Sequence, residues 1–144
     1  IPGKGLSKLG VEDIDWGYRS SSIPKDAIVV EVSLILRPSD KIVLHASMEA
    51  SLKKRRASQP LSKPSCGSVF KGPEGDSAGR LIEACGLKGT VIGGAQISDV
   101  HANFIVNNGS ATAQDVLDLI KLARDKVEER YGIELQTEVR FLGF

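Results

Sequence analysis

An amphipathic segment near the C-terminus constrains the fold more than any other feature of the sequence. Its apolar residues recur at helical spacing and form one stripe: Val116, Leu119, Ile120, Ala123 and Val127. Thr112 and Asp115 precede the stripe as a capping box, with Asp in the position usually taken by Glu or Gln. Gly132 follows as a helix terminator. The pattern predicts one long helix, from about Thr112 to Tyr131, whose stripe packs against other elements.

The first third of the chain predicts a strand followed by a helix. Residues 28–36, IVVEVSLIL, alternate between two faces, which predicts a strand with one wetter side. Pro38-Ser39-Asp40 then stops the strand and offers a helix cap. Leu44, Met48 and Leu52 recur every four residues and predict a helix from Lys41 to about Ala57. Its basic end, residues 53–56, suits a helix C-terminus.

The middle of the chain predicts short, alternating elements. In residues 63–75, KPSCGSVFKGPEG, the Val-Phe step predicts a short strand that ends at Gly72-Pro73. A short helix follows, capped by Asp76 or Ser77 and ended by Gly86. Strands are predicted in residues 90–98, 103–109 and 135–143. The order predicts an α+β fold with a mainly antiparallel sheet and helices packed on one face.

Composition places the chain among globular proteins. Of 144 residues, 41% are hydrophobic and 26% charged, which predicts a real core. A formal net charge of +1 gives no electrostatic argument for a nucleic-acid or membrane partner, and the apolar runs are too short to span a bilayer. Cys66 and Cys85 form no disulfide framework and favour a reducing compartment. The start lacks Met and a signal-peptide pattern, so we expect a chain cut from a longer one.

Residue patterns alone leave the chemistry open. Gly67-Ser68 lacks the second Gly of a nucleophile elbow, which argues against a serine hydrolase. The cysteines and histidines have no metal-ligand spacing, so no metal site is predicted. The glycines of residues 72–79 match neither a phosphate-binding loop nor a dinucleotide fingerprint. Tyr18-Arg19 is either an anion-binding corner or a plain loop, and Glu138 shares a strand face with Arg140, as surface ion pairs often do.

Several motifs together resemble one enzyme family. They stand in order and cover nearly all of residues 12–144: DWGYRSS, RRASQPL, PSCGSVFKGPEGDSAGRLIEACGLKG, IGGAQIS, HANFIVN and ELQTEVRFLG. The chain resembles the C-terminal half of the UDP-N-acetylenolpyruvoylglucosamine reductase family, also called UDP-N-acetylmuramate dehydrogenases. The resemblance implies that residues 1–38 are a C-terminal fragment of the FAD-binding domain. Residues 39–144 would form the substrate-binding domain.

The resemblance also implies an activity. In that family FAD, reduced by NADPH, reduces the enolpyruvyl group of UDP-N-acetylglucosamine enolpyruvate to give UDP-N-acetylmuramate, a peptidoglycan precursor. It implies a bacterial cytoplasm, or a plastid of bacterial descent. The partners implied are this substrate and an upstream FAD-binding domain.

Site residues follow from the matched motifs. The catalytic positions are Ser68, which protonates the carbanion, Arg19, which holds the substrate carboxylate, and Glu138, which works beside Arg19. The implied substrate-binding positions are Tyr18, Arg56, Gln59, Gly67, Lys71, His101 and Asn103.

Two departures from the family pattern keep an alternative open. Gly72 replaces the Asn of the family's FKNP motif, and loss of that amide removes roughly 1 kcal/mol of binding. No flavin site is readable in the sequence, so we expect the chain alone neither to hold FAD nor to turn over. The alternative is a non-catalytic binding or scaffolding module that descends from this family.

Overall fold

A computed structural model of the chain describes residues 5–143. The chain divides into two compact units, Ile1–Asp40 and Lys41–Phe144. In the first unit a 3-10 turn, Val11–Asp13, precedes the strands β1 (Trp16–Gly17) and β2 (Ser20–Ser21). The elements of the second unit are α1 (Lys41–Ser58), β3 (Ser65–Ser68), α2 (Ala78–Ala84), β4 (Val91–Ile92), β5 (Ala95–Ile97), β6 (Phe104–Asn107) and α3 (Ala113–Tyr131).

The second unit has the predicted α+β architecture. Its four strands form one antiparallel sheet in the order β3-β6-β5-β4. The helix α3 packs on β4 and β5, and α2 packs against α3. Consecutive strands β4 and β5 form a hairpin across Gly93-Gly94, so the single strand predicted for residues 90–98 is two strands.

The helix α3 confirms the prediction made from its capping box and stripe. Thr112 Oγ1 accepts a hydrogen bond from Asp115 N at 3.1 Å, and the Asp115 carboxylate accepts one from Thr112 N at 2.9 Å. Gly132 ends the helix with φ +65°, in the left-handed region that favours glycine. Four stripe residues are buried: Leu119, Ile120, Ala123 and Val127.

The core of the second unit joins α2, α3, the sheet and the C-terminal segment. Its largest fully buried side chains are Phe70, Leu81, Ile82, Ile97, Leu119, Leu135, Val69 and Val127. Burial of an aliphatic or aromatic side chain of this size contributes about 1.5–3 kcal/mol. The helix α2 begins at its predicted cap, because Ser77 Oγ accepts a hydrogen bond from Arg80 N at 3.1 Å.

Two strand predictions were wrong and one was displaced. Residues 28–36 form no strand, and Ile28, Leu34 and Ile35 are exposed. Residues 135–143 form no strand beyond a single bridge from Thr137 to Phe70. The short strand predicted at the Val-Phe step lies earlier, in β3. Alternation describes a strand's two faces, but a strand also needs a partner for its backbone groups.

The predicted helix over residues 41–57 is present as α1, but it contributes nothing to the core. None of its residues is buried, and Leu44 and Met48 are each 55% exposed. Among residues 5–143, no helix combines the length and the apolar character that crossing a bilayer requires.

Candidate functional site

A β-bulge stands immediately before Ser68. Ser65 pairs with Val106, whereas Ser68 pairs with Phe104, so β3 carries one extra residue against β6. Gly67, within the bulge, has φ +82°, a conformation that glycine adopts without steric cost. Bulges bend a strand and re-aim its side chains, and they are frequent beside active sites. This geometry explains why a glycine precedes the half-buried Ser68.

Beyond Ser68 the chain pairs with a second segment, the one that follows α3. Lys71 N donates to Gln136 O at 2.9 Å, and Glu138 N donates to Val69 O at 2.8 Å. The segment after β3 therefore pairs with the C-terminal segment on its other edge. This pairing brings the backbone of Glu138 beside Val69, the residue that follows Ser68, although Glu138 and Val69 lie 69 positions apart in the chain.

Asn103 lies at the same junction, and its amide is engaged inside the domain. The side chain is buried, accepts a hydrogen bond from Phe70 N at Oδ1 (2.9 Å) and donates one from Nδ2 to Phe70 O (2.8 Å). Its backbone carbonyl accepts a hydrogen bond from Val69 N at 2.9 Å. Asn103 therefore bonds three backbone groups of the two residues that follow Ser68.

His101 is half-buried between α2 and β6. Its Nδ1 accepts a hydrogen bond from Asn103 N at 3.1 Å, and its ring centroid lies 5.0 Å from that of Phe104. Burial, with the charge of Lys88 second, lowers the pKa of His101 below its usual value. The neutral ring accepts at Nδ1, so its proton is on Nε2.

Gly79 makes room for the His101 ring. A Cβ at Gly79 would stand 2.8 Å from Cε1 of His101. Any larger residue at Gly79 would displace the ring, so this glycine of DSAG has a packing role. This role was not predicted from the sequence, where the only signal was the run of small residues itself.

Arg19 occupies a hairpin in the first unit. Strands β1 and β2 pair as Trp16 with Ser21 and Gly17 with Ser20, which leaves Tyr18 and Arg19 as the two turn residues. Arg19 has φ +56°, a left-handed conformation that is uncommon for a long side chain. Outliers of this kind cluster at functional sites, where the surrounding structure maintains them. Tyr18 is exposed.

Two predicted substrate-binding residues lie at the C-terminal end of α1. Arg56 is exposed in the last turn of the helix. Gln59 is half-buried just beyond the helix end, and its Oε1 accepts a hydrogen bond from Arg55 Nε at 3.0 Å. The basic side chain of Arg56 and the amide of Gln59 therefore lie three residues apart at the C-terminal end of α1, before β3.

Cys66 and Cys85 are free thiols. Burial raises the pKa of Cys66 above its usual value, which keeps the thiol protonated near neutral pH. Within the described range, 5–143, no group of three or more His, Cys, Asp or Glu residues could hold a metal ion.

Gly93 and Gly94, in the β4–β5 turn, do not fit a flavin dinucleotide. A Cβ at Gly93 would overlap the Asp115 carboxylate, and one at Gly94 would overlap the backbone around Ala111. The Asp115 carboxylate also accepts a hydrogen bond from Gly94 N at 3.0 Å, so it occupies the space before α3. A phosphate placed there would meet a carboxylate. These glycines serve the contact between the β4–β5 hairpin and α3.

Comparison with known proteins identifies the class to which this fold and site belong. A family model described as "UDP-N-acetylenolpyruvoylglucosamine reductase, C-terminal domain" matches residues 59–142, more than half of the chain. The chain therefore belongs to this reductase family, as the sequence motifs predicted.

Individual relatives agree with the family match. The chain is 50% identical to UDP-N-acetylenolpyruvoylglucosamine reductase 2 of Symbiobacterium thermophilum, over 96% of this chain and 45% of the relative. It is 52% identical to the reductase of Anaeromyxobacter dehalogenans strain 2CP-C, over 90% of this chain and 40% of the relative. The chain spans less than half the length of these curated relatives.

A solved structure shows the same fold. The crystal structure of UDP-N-acetylenolpyruvylglucosamine reductase (MurB) from Thermus caldophilus matches with a TM-score of 0.74 and 43% identity. The match covers 89% of this chain and 46% of the other.

Proposed function

We propose that the chain is the substrate-binding half of a UDP-N-acetylenolpyruvoylglucosamine reductase, which forms UDP-N-acetylmuramate for peptidoglycan synthesis. One observation carries the proposal beyond family membership. The bulge at Gly67 and the pairing after β3 bring the backbone of Glu138 beside Val69, the residue that follows Ser68. Ser68 and Glu138 are the positions to which the motifs assign the proton donor and a neighbouring carboxyl group.

The proposed reaction adds hydride to the enolpyruvyl double bond and a proton to the adjacent carbon. Addition of hydride β to a carboxylate leaves negative charge on the α carbon, delocalised into the carboxylate. The Ser68 hydroxyl gives its proton to the α carbon, and the Arg19 guanidinium stabilises the carboxylate that shares the charge. An alcohol is a weak acid in water, so this role requires a site from which water is excluded. Glu138 works beside Arg19.

Substrate binding is assigned to residues around these positions. The Arg56, Gln59 and Lys71 side chains supply positive charge and an amide for the pyrophosphate and nucleotide, and Tyr18 lies beside Arg19 in the hairpin turn. The Nε2–H of His101 is a donor for the sugar nucleotide, because Nδ1 is already occupied. Gly67 has open space where a side chain would stand, which allows close approach of the substrate to the backbone.

We propose that the reducing cofactor binds in another part of the reductase. This cofactor would be FAD, reduced by NADPH. Its binding domain would take in residues 1–38, with the substrate-binding domain from residue 39 to 144. The Asp115 carboxylate, which fills the space beside Gly93 and bonds Gly94 N, argues against a pyrophosphate at that turn. By itself the chain would not hold FAD and would not turn over. Peptidoglycan precursor synthesis would place the enzyme in the bacterial cytoplasm.

The decisive experiment follows the two half-reactions in the complete reductase. We expect NADPH oxidation to depend on UDP-N-acetylglucosamine enolpyruvate. In a stopped-flow experiment, Ser68→Ala should leave flavin reduction by NADPH unchanged. It should slow flavin reoxidation by the substrate about 100-fold or more, because a general acid contributes at least that much. An exposed serine six residues earlier, Ser62, gives a matched control, since Ser62→Ala should leave both rates unchanged.

Two results would reject parts of this proposal. Unchanged reoxidation in Ser68→Ala would remove Ser68 from its role as proton donor. A flavin-loaded complete protein that fails to turn over would favour the alternative, a binding module descended from the family.

A further inference from the structure

We infer that Asn103 is a positioning residue for Ser68, acting through the backbone of Phe70. The inference rests on the proposed function and assigns to Asn103 a role different from direct contact with substrate.

The argument begins with the pairing after β3. Ser68 is the last residue of β3 paired with β6, and Thr137 bridges Phe70 from the C-terminal segment. At Phe70 the edge that faces β6 is paired by a side chain, because Asn103 bonds Phe70 N (2.9 Å) and Phe70 O (2.8 Å). One amide group thus makes both bonds that a neighbouring strand would make.

These bonds fix the segment that carries Ser68. Val69 N donates to Asn103 O at 2.9 Å, so Asn103 bonds both residues that follow Ser68. The preceding residue is Gly67, which has φ +82° and no Cβ to restrict the backbone on that side. The direction of the Ser68 side chain therefore depends on the rigid pairing after it, and the pairing depends on Asn103.

Only a side chain of this length with one donor and one acceptor satisfies the site. Phe70 is 2% exposed, so water does not replace a lost partner of its N–H and C=O groups. A carboxylate accepts from the N–H but repels the C=O, and alanine leaves both unpaired. A protonated carboxyl group can do what the amide does, since it has one donor and one acceptor. The bond from Asn103 N to His101 Nδ1 orients the backbone from which the amide projects.

The test compares three variants of the complete reductase. Asn103→Ala should slow flavin reoxidation by UDP-N-acetylglucosamine enolpyruvate about 100-fold while flavin reduction by NADPH is unchanged, because a reacting group misplaced by about 1 Å costs this much. Asn103→Asp should be as slow at pH 8 and should recover most of its rate towards pH 5. Burial and the Phe70 carbonyl raise the pKa of the introduced carboxyl, so it regains its donor proton as the pH falls.

Controls separate this effect from other titrations. The titratable groups beside the junction are His101, which bonds Asn103, and Lys71 and Glu138, which flank Phe70. All three are present in the wild type and in Asn103→Ala, whose pH profiles should show no such recovery. Asn108→Asp is the matched control, because it makes the same amide-to-carboxylate change at an exposed residue beyond the other end of β6. It should leave both half-reactions unchanged.

Hydrogen exchange tests the pairing independently of activity. The Phe70 amide should lose protection in Asn103→Ala and in Asn103→Asp at pH 8, and should regain it in Asn103→Asp near pH 5. Unchanged Phe70 protection in Asn103→Ala overturns the inference, as does an unchanged reoxidation rate or an absence of low-pH recovery in Asn103→Asp. A wild-type reductase that fails to turn over rejects the proposed function, and exchange at Phe70 still decides whether Asn103 maintains the pairing.

Discussion

Residues 5–58 and residues 59–143 are both rich in apolar side chains, but only the second stretch buries them. In the first stretch no residue is buried, although it contains IVVEVSLIL and the apolar positions of α1. In the second stretch Leu81, Ile82, Leu119 and Val127 are completely buried. Hydrophobic residues stabilise a fold only where other elements cover them, so composition does not distinguish the two stretches but contacts do.

The exposed stretch includes both the proposed end of the FAD-binding domain, up to residue 38, and α1 of the proposed substrate-binding domain. Large exposed apolar patches mark interaction surfaces. The chain spans less than half of its curated relatives, and residues 28–36 would gain strand partners in the FAD-binding domain to which we assign them. The stretch that buries its apolar residues is the stretch that the family model matches, residues 59–142.

The largest expected effect concerns Arg19, in the stretch without buried residues. Arg19→Gly should reduce kcat/KM of the complete reductase about 100- to 1000-fold, as loss of one donor to a developing charge does elsewhere. The backbone of the turn should tolerate the change, because glycine adopts φ +56° more readily than arginine. An exposed arginine of the same stretch is the control, and Arg37→Ala should retain activity. If Arg19→Gly fails to fold, the Arg19 side chain is needed for the structure of the hairpin, and the loss of activity says nothing about the reaction.

The second effect compares two leucines directly. Leu119→Ala should reduce the free energy of unfolding by about 2–5 kcal/mol, because the residue is fully buried and leaves a cavity. Leu44→Ala in α1 should change it by less than about 0.5 kcal/mol in this chain, since the side chain is 55% exposed. Denaturant unfolding of both variants measures the difference. Equal losses would contradict the division between the two stretches.

A smaller effect concerns the cap of α3. Thr112→Ala removes the acceptor for Asp115 N and should lower the free energy of unfolding by about 1 kcal/mol. Ser110→Ala, two residues earlier and exposed, should be nearly neutral. Thermal unfolding of the two variants is sufficient to compare them. A neutral Thr112→Ala would mean that tertiary packing alone specifies the start of the helix.

The smallest effect is a dependence of stability on acid pH. Arg80, which bonds Asp76 from the next turn, lowers the pKa of Asp76 from 3.8 to about 2. A depressed pKa contributes stability that is present above the unfolded value and is lost as pH falls through the folded value, so the loss should lie between about pH 4 and pH 2. Asp76→Asn should flatten the stability profile in this window. The pair is partly exposed, so 1 M salt should also reduce its contribution.

The helices and much of the family assignment could be predicted from the sequence because their signals are local. The capping box at Thr112, the stripe from Val116 to Val127 and the stop at Gly132 lie within about 20 residues and act within one helix. The Ser77 cap of α2 is of the same kind. The short motifs around Arg19, Ser68 and Glu138 likewise indicate the reductase family by themselves, and the family match confirms that prediction.

Tertiary structure decided the strands and the arrangement around Ser68. Residues 28–36 have the alternation of a strand but no strand structure, while Phe70 receives its pairing from Asn103, 33 residues away, and from Thr137. A helix satisfies its backbone within itself, so a local pattern can specify it. A strand satisfies its backbone through residues distant in sequence, so its existence and its edges are decided only when the chain has folded.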